Sequence, residues 1–160
     1  MKTTVCDDKV TFEGFLQFVE MQNLGIDGLN DESSGAYKLL YQNFKFSYHL
    51  VPLELLSYDP YLYQQAVYNY ALHVFVTICF DANLNYIDRN RLIAMGMNPS
   101  NTWRNGIVQN ASDNATSVSY MTPDFYKNLS LNDFDLLRTP YGRAYLKLAL
   151  QIGNIWGLSK

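Results

Sequence analysis

The chain has 160 residues, 48% of them hydrophobic, 15% aromatic and 17% charged, with a net charge of −3 at neutral pH. That length fits one domain burying about 70% of its unfolded surface, and the aromatic content excludes a chain disordered throughout. Two cysteines without metal or redox spacing, a start that lacks basic and apolar runs, and no long apolar stretch set three expectations: free thiols in a reducing compartment, no secretory leader and no membrane span.

Thr11 is placed to cap a first helix, with Phe12, Phe15, Leu16 and Val19 at i, i+3, i+4 and i+7 on one face. Gly25, Gly28 and the run Asn30–Gly35 read as a loop. A second, aromatic helix is expected over about Ala36–Phe46, before Pro52 interrupts and Leu53–Leu56 makes a short helical turn. Asp59-Pro60 is a cap followed by proline at the first helical position, and no breaker follows until about Ala82. Ala66, Val67, Tyr70, Ala71, Val74, Phe75, Ile78 and Cys79 give this helix a wide apolar face, with Val76 and Phe80 on the other side. A helix apolar nearly all round belongs at the centre of the core. Asn83–Asn90 turns the chain, and a short helix over about Ile87–Met95 ends at Gly96 and Pro99.

The texture then changes. Residues 106–123 carry almost no charge and are rich in Ser, Thr, Asn and Val. Thr116, Val118 and Tyr120 alternate with Ser117 and Ser119, and Ser112-Asp113-Asn114 supplies turn formers, so a β-hairpin or extended arm is expected. Charge-poor strands are an aggregation hazard as a free edge, which implies that the arm pairs with something. Ser130-Leu131-Asn132-Asp133 is a short-acid capping box for a helix through Leu137. Thr139-Pro140 starts the last helix, where Arg143, Lys147 and Gln151 form a polar stripe and Tyr145, Leu146, Leu148, Ala149 and Ile152 cover the rest. Gly153 is placed to end it, and the tail beyond still carries Ile155, Trp156 and Leu158. The expected fold class is therefore mainly α: one domain over 1–160, a small helical bundle around one long apolar helix, with an arm at about 106–123 and an extended C-terminal tail at about 153–160.

Charge is uneven. Residues 136–160 hold Arg138, Arg143, Lys147 and Lys160 and no acid, +4, whereas the other 135 residues carry eight basic and fifteen acidic groups, −7. A basic end on an acidic body points to an acidic partner surface, a second copy or another protein; four scattered charges make nucleic acid the weakest choice. The thirteen tyrosines suit either an interface or the edge of a core.

Motifs for chemistry are sparse. Asp81-Ala-Asn83-Leu-Asn85 begins like a calcium loop, but the sixth position is Tyr86 where glycine is needed and the twelfth is Leu92 where glutamate is needed, so it reads as a polar helix end. His49 and His73 are the histidines; His73 lies six and eight residues from Cys79 and Asp81, offsets that share no helical face, and a satisfied core histidine is the favoured reading. Asp27, Asp31 and Glu32 read as a solvated loop patch, and the sequons at Asn110, Asn114 and Asn128 as chance. There is no phosphate loop, zinc-protease motif or nucleophile elbow. No catalytic residue, metal or cofactor is expected; a small helical enzyme or ligand-binding domain using His73 and nearby acids is the reading from another class.

Residues 110–158, NASDNATSVSY, then MTPDF, then LSLNDFDLLRTPYGRAYLKLALQIGNIWGLS, resemble the head–tail connector (adaptor, head-completion) proteins of tailed bacteriophages. The shared features are a Ser-acid run with alternating Ser and Val followed by a TPYG helix start, over about a third of the chain. The resemblance implies a virion structural protein at the head–tail interface, made in the bacterial host cytoplasm. Such subunits form a homo-oligomeric ring, such as a dodecamer, under the portal, extend the DNA channel and offer the tail or neck proteins a docking surface. It implies partners: the portal, neighbouring copies and DNA passing without sequence-specific contact, and no membrane. Carried onto this chain, the interface residues are Trp156, Leu158 and Lys160 in the tail and Arg143 and Lys147 on the last helix. In the arm they are Ser112, Asp113, Asn114, Ser117, Val118, Ser119 and Tyr120. A tail-terminator or tail-completion ring protein is the alternative within the same class.

Overall fold

Side-chain oxygens set where the helices begin. A computed structural model describes residues 10–97, 110–113, 116–119 and 131–152. Thr11 accepts from the Gly14 N–H at 3.1 Å and starts α1 (Phe12–Met21). Ser34 accepts from the Tyr37 N–H at 3.0 Å and starts α2 (Gly35–Leu50). After α3 (Leu53–Tyr58), Asp59 accepts from the N–H groups of Tyr61 and Leu62, with Pro60 leading α4 (Pro60–Asp81). Asp88 caps α5 (Arg89–Ala94). Strands β1 (Asn110–Asp113) and β2 (Thr116–Ser119) follow, then α6 (Leu131–Leu136) and α7 (Pro140–Ile152). Each cap satisfies a donor the helix leaves open and is worth about 1 kcal/mol.

The mainly helical class holds. Several helix ends differ from the sequence expectation: α3 runs on to Tyr58, past Leu56, α6 stops at Leu136, one residue short, and α2 and α5 depart furthest. α2 starts at Gly35 and runs on to Leu50, past Phe46, because the buried Asn43 and Ser47 belong to its inner face despite being polar. The Ser47 hydroxyl donates to the Asn43 carbonyl at 2.8 Å, which satisfies it inside the helix. α5 is shorter than expected, because Asp88 fixes its start and Gly96, at φ 76°, takes the left-handed conformation that closes it.

α4 is the element on which the others converge: α2, α7, α3 and α1 all pack on it. Its buried side chains include Tyr63, Ala66, Val67, Ala71, Leu72, Phe75, Val76 and Cys79, which fall on every side of the helix. An aromatic cluster fills the space between α1, α2 and α4. Phe15 stacks on Phe44 at 5.6 Å, and Phe12 meets Tyr37 and Tyr41 edge-on. Two buried tyrosines keep their polar ends paired, Tyr68 donating to the Thr11 carbonyl and Tyr63 to the Tyr48 carbonyl, each at 3.0 Å, whereas the buried Tyr141 hydroxyl has no hydrogen-bond partner among the described residues. Tyr41, Tyr58 and Tyr61 are exposed, so the tyrosines divide between core and surface. A second, smaller cluster of Leu136, Leu137 and Leu146, with Tyr70 and Tyr145 against it, joins α6, α7 and α4.

β1 and β2 pair antiparallel, Asn110 with Ser119, Ala111 with Val118, Ser112 with Ser117 and Asp113 with Thr116. Ser112, Asp113, Ser117, Val118 and Ser119 thus stand in the ladder. Asn114, Tyr120, Trp156, Leu158 and Lys160 lie outside the described residues, as does the tail at 153–160. Among the described residues no helix is long and apolar enough to cross a membrane.

Candidate functional site

A polar cluster sits where α6 and α7 meet α4. Its centre is His73, on the face of α4 turned toward α7 and 1% exposed. Its Nδ1 lies 2.9 Å from Thr139 Oγ1 and its Nε2 lies 3.2 Å from Asp135 Oδ2. Thr139 immediately precedes α7, is fully buried, and accepts the Gly142 N–H at 2.9 Å. The Asp135 carboxylate can only accept, so it receives the Nε2 proton, and the Thr139 hydroxyl, which can both donate and accept, pairs with Nδ1. Both ring nitrogens are therefore occupied by the protein itself.

This geometry explains the Thr139-Pro140-Tyr141-Gly142 start residue by residue. Thr139 is both helix cap and histidine partner. Pro140 holds the first helical position, where no N–H is needed. Tyr141 is buried in the main core. Gly142 lies against α6 so closely that a Cβ would collide with the Leu136 carbonyl and come within 2.7 Å of His73 Nδ1. Only glycine permits that approach.

Arg138 extends the cluster. Its guanidinium forks onto Asp81 at 2.7 and 3.1 Å and reaches Asp135 at 3.0 Å, tying the end of α4 to the α6–α7 corner. The hydrogen bond to Asp81, and then that to Asp135, hold Arg138 firmly in its charged form. The His73 hydrogen bond, with Arg138 behind it, pulls the Asp135 carboxyl down to about 2. The charge count placed Arg138 in a basic end expected to meet an acidic partner; in the structure it pairs with two carboxylates of its own chain. Asp81 is therefore the anchor of an ion pair rather than the first ligand of a loop, and Asn83 accepts from Arg89.

Beside the cluster opens a cleft of ≈ 500 Å³ to which α2, α4, α6 and α7 all contribute. Phe46 and Leu50, Tyr70 and His73, Asp133 and Asp135, and Leu146 and Ala149 line it. Arg143 and Lys147 are exposed on the other side of α7, and Arg143 donates to the Leu137 carbonyl at 2.9 Å. Asp27, Asp31 and Glu32 are exposed in the loop before α2, remote in sequence from the cluster. There Asp31 accepts from the Ser33 hydroxyl and amide, which hold its carboxyl below the usual value.

Of the residues singled out by sequence, the structure brings His73 into the cluster without Cys79, whose thiol burial pushes up to about 12. Sequence reading missed Asp135 and Thr139 as its partners, and Arg138 as the partner of Asp81 and Asp135. The TPYG start was the available signal, since a capping threonine beside a glycine marks a helix end pressed against something. No protein-family model matches the chain, and no curated protein or solved structure is significantly similar to it.

Proposed function

We propose that this chain is a structural subunit of a tailed-phage virion, a head–tail connector that forms a ring under the portal, extends the DNA channel and presents a docking surface for the tail. One observation carries the reading: a charge-poor two-stranded ladder at 110–119 precedes a Thr139-Pro140-Tyr141-Gly142 helix start that is seated on a buried histidine. In this reading the helical bundle around α4 is the wall of the ring. The ladder is the arm that pairs with neighbouring subunits. The tail at 153–160, with Trp156 and Leu158 as anchors and Lys160 at its end, reaches the portal. Arg143 and Lys147 face an acidic neighbour. No chemistry is assigned to His73, because both of its ring nitrogens are engaged within the fold.

Quantitative mass spectrometry of purified virions of the parent phage tests the proposal. The expected result is a copy number close to that of the portal, and loss of attachment when the chain is cut after Gly153. Absence from virions overturns the proposal. A copy number near half that of the portal moves the subunit to a ring on the tail side.

A further inference from the structure

Three aromatic rings stand in line in the cleft: Phe46 lies 6.3 Å from Tyr70, and Tyr70 lies 4.8 Å from Tyr145. Leu50, Leu146 and Ala149 continue the same apolar lining. Phe46 is nevertheless 53% exposed and Leu50 46%. Scattered exposed apolar residues need no account, but apolar residues grouped at the mouth of a cleft do. The end of α7 lies at the same place. Its last residue, Ile152, comes about 4.5 Å of helical rise after Ala149, which lines the cleft. The sequence that follows, Gly-Asn-Ile-Trp-Gly-Leu-Ser-Lys over 153–160, carries three large apolar side chains and no acid.

We propose that in the free chain the cleft holds residues 153–160 of the same molecule, with Trp156 among the three rings and Leu158 beyond it, toward Leu136. The reach is sufficient. From Ile152 back to the level of Leu146 is about 9 Å along the helix axis, and three to four extended residues span about 10–14 Å. That brings positions 155 and 156 over the rings. Alternate side chains of an extended segment share a face, so Trp156 and Leu158 enter the cleft together. An indole suits such a lining, because aromatic side chains pack edge-on or offset and bury about 150–250 Å² each. The tether selects this occupant over a neighbour's tail. A short link gives the tail an effective concentration on the order of millimolar at its own cleft, so a contact too weak to join two molecules at micromolar concentration closes within one. The inference stands apart from the connector reading. Where that reading holds, the tail exchanges its own cleft for the portal, and Trp156 stays covered until then.

Trp103 and Trp156 are the two tryptophans, so a full chain carrying Trp103→Phe reports Trp156 alone. Its emission is expected to be blue-shifted and poorly quenched by acrylamide at concentrations where sedimentation velocity finds a monomer. Phe46→Asp, at an exposed position, spoils the cleft, and circular dichroism checks the fold. With it, emission is expected to move to the red and quenching to rise several-fold. A second measurement uses the peptide of residues 153–160 as the probe, titrated by calorimetry up to millimolar concentration. The full-length Trp156→Ser/Leu158→Ser variant leaves the cleft empty and is expected to bind the peptide. Wild type is expected to bind it at least about 10-fold more weakly, because the tethered tail competes. Adding Phe46→Asp to the double variant is expected to abolish binding.

A freely quenched Trp156 in the free chain overturns the inference. So does protection that survives Phe46→Asp in a folded chain, or an emptied cleft that takes up no peptide at the concentration the tether supplies. Protection that disappears on dilution, or is found only in an oligomer, gives the cleft to a neighbour's tail and also overturns it. Virion copy number is independent of all these results. A protected Trp156 in a protein absent from virions removes the connector reading alone, and incorporation of a chain whose free form leaves Trp156 exposed removes this inference alone.

Discussion

Replacing Thr139 with valine keeps the side-chain volume and removes one oxygen. That oxygen serves two buried groups, the Gly142 N–H and His73 Nδ1, each at 2.9 Å. Water cannot replace it, because Thr139 is fully buried and His73 is 1% exposed. Losing a helix cap costs about 1 kcal/mol. Leaving a buried polar atom unpaired costs about 1–3 kcal/mol more, so Thr139→Val is expected to lose about 2–4 kcal/mol in all. For a chain of this size that lowers the melting temperature by about 5–15 °C. Thr139→Ser keeps the oxygen and removes one methyl, so it is expected to lose only about 1 kcal/mol. Urea unfolding followed by circular dichroism measures both. The imidazole's share comes from adding His73→Leu: once the ring is gone, the valine costs only its cap share, a coupling of about 1–3 kcal/mol. Equal losses for valine and serine, or no coupling with His73→Leu, refute the role assigned to the hydroxyl.

Asp135 supplies a pH signature. Its folded value of about 2 lies below the ordinary 3.8, so its contribution is complete above pH 3.8 and disappears as the pH falls to about 2. Asp135→Asn is expected to be less stable at neutral pH and to show a flatter stability profile across that window in acid titrations of urea midpoints. Gly142→Ala pushes a methyl onto the Leu136 carbonyl, a backbone atom with little room to yield; calorimetry is expected to show a loss of about 1–3 kcal/mol. Cys79 is buried with its thiol pushed up to about 12, so in a Cys6→Ser background an aromatic disulfide reagent is expected to label it only as the chain unfolds. Rapid labelling in native buffer contradicts that.

What was legible in the sequence was local. Thr11, Asp59-Pro60 and Thr139-Pro140 announce helix starts because a cap and its N–H lie within three residues of each other. The end of α2 was harder, since Asn43 and Ser47 interrupt the apolar period on a face that is nevertheless buried. A satisfied core histidine was readable at His73, but its partners were not. Asp135 and Thr139 lie 62 and 66 residues away, whereas of the groups near it in sequence Cys79 is not bonded to it and Asp81 joins the cluster only through Arg138. Arg138 shows the same limit, because its partner Asp81 is 57 residues distant and a charge count along the chain cannot see the pair. The cleft is formed by side chains of four helices and leaves no periodic trace in any one of them.

The histidine-centred corner joins parts of the chain that are far apart: His73 meets Asp135 and Thr139 across 62 and 66 residues, and Arg138 meets Asp81 across 57. Tyr63 and Tyr48, which tie α4 to α2, are only 15 residues apart. Closing a longer stretch costs more entropy before its contacts reward it, about 0.6 kcal/mol for each doubling of length. The pairing of α2 with α4 therefore has the lower entropic threshold, and the corner made by α6 and α7 is the part of the fold that docks late.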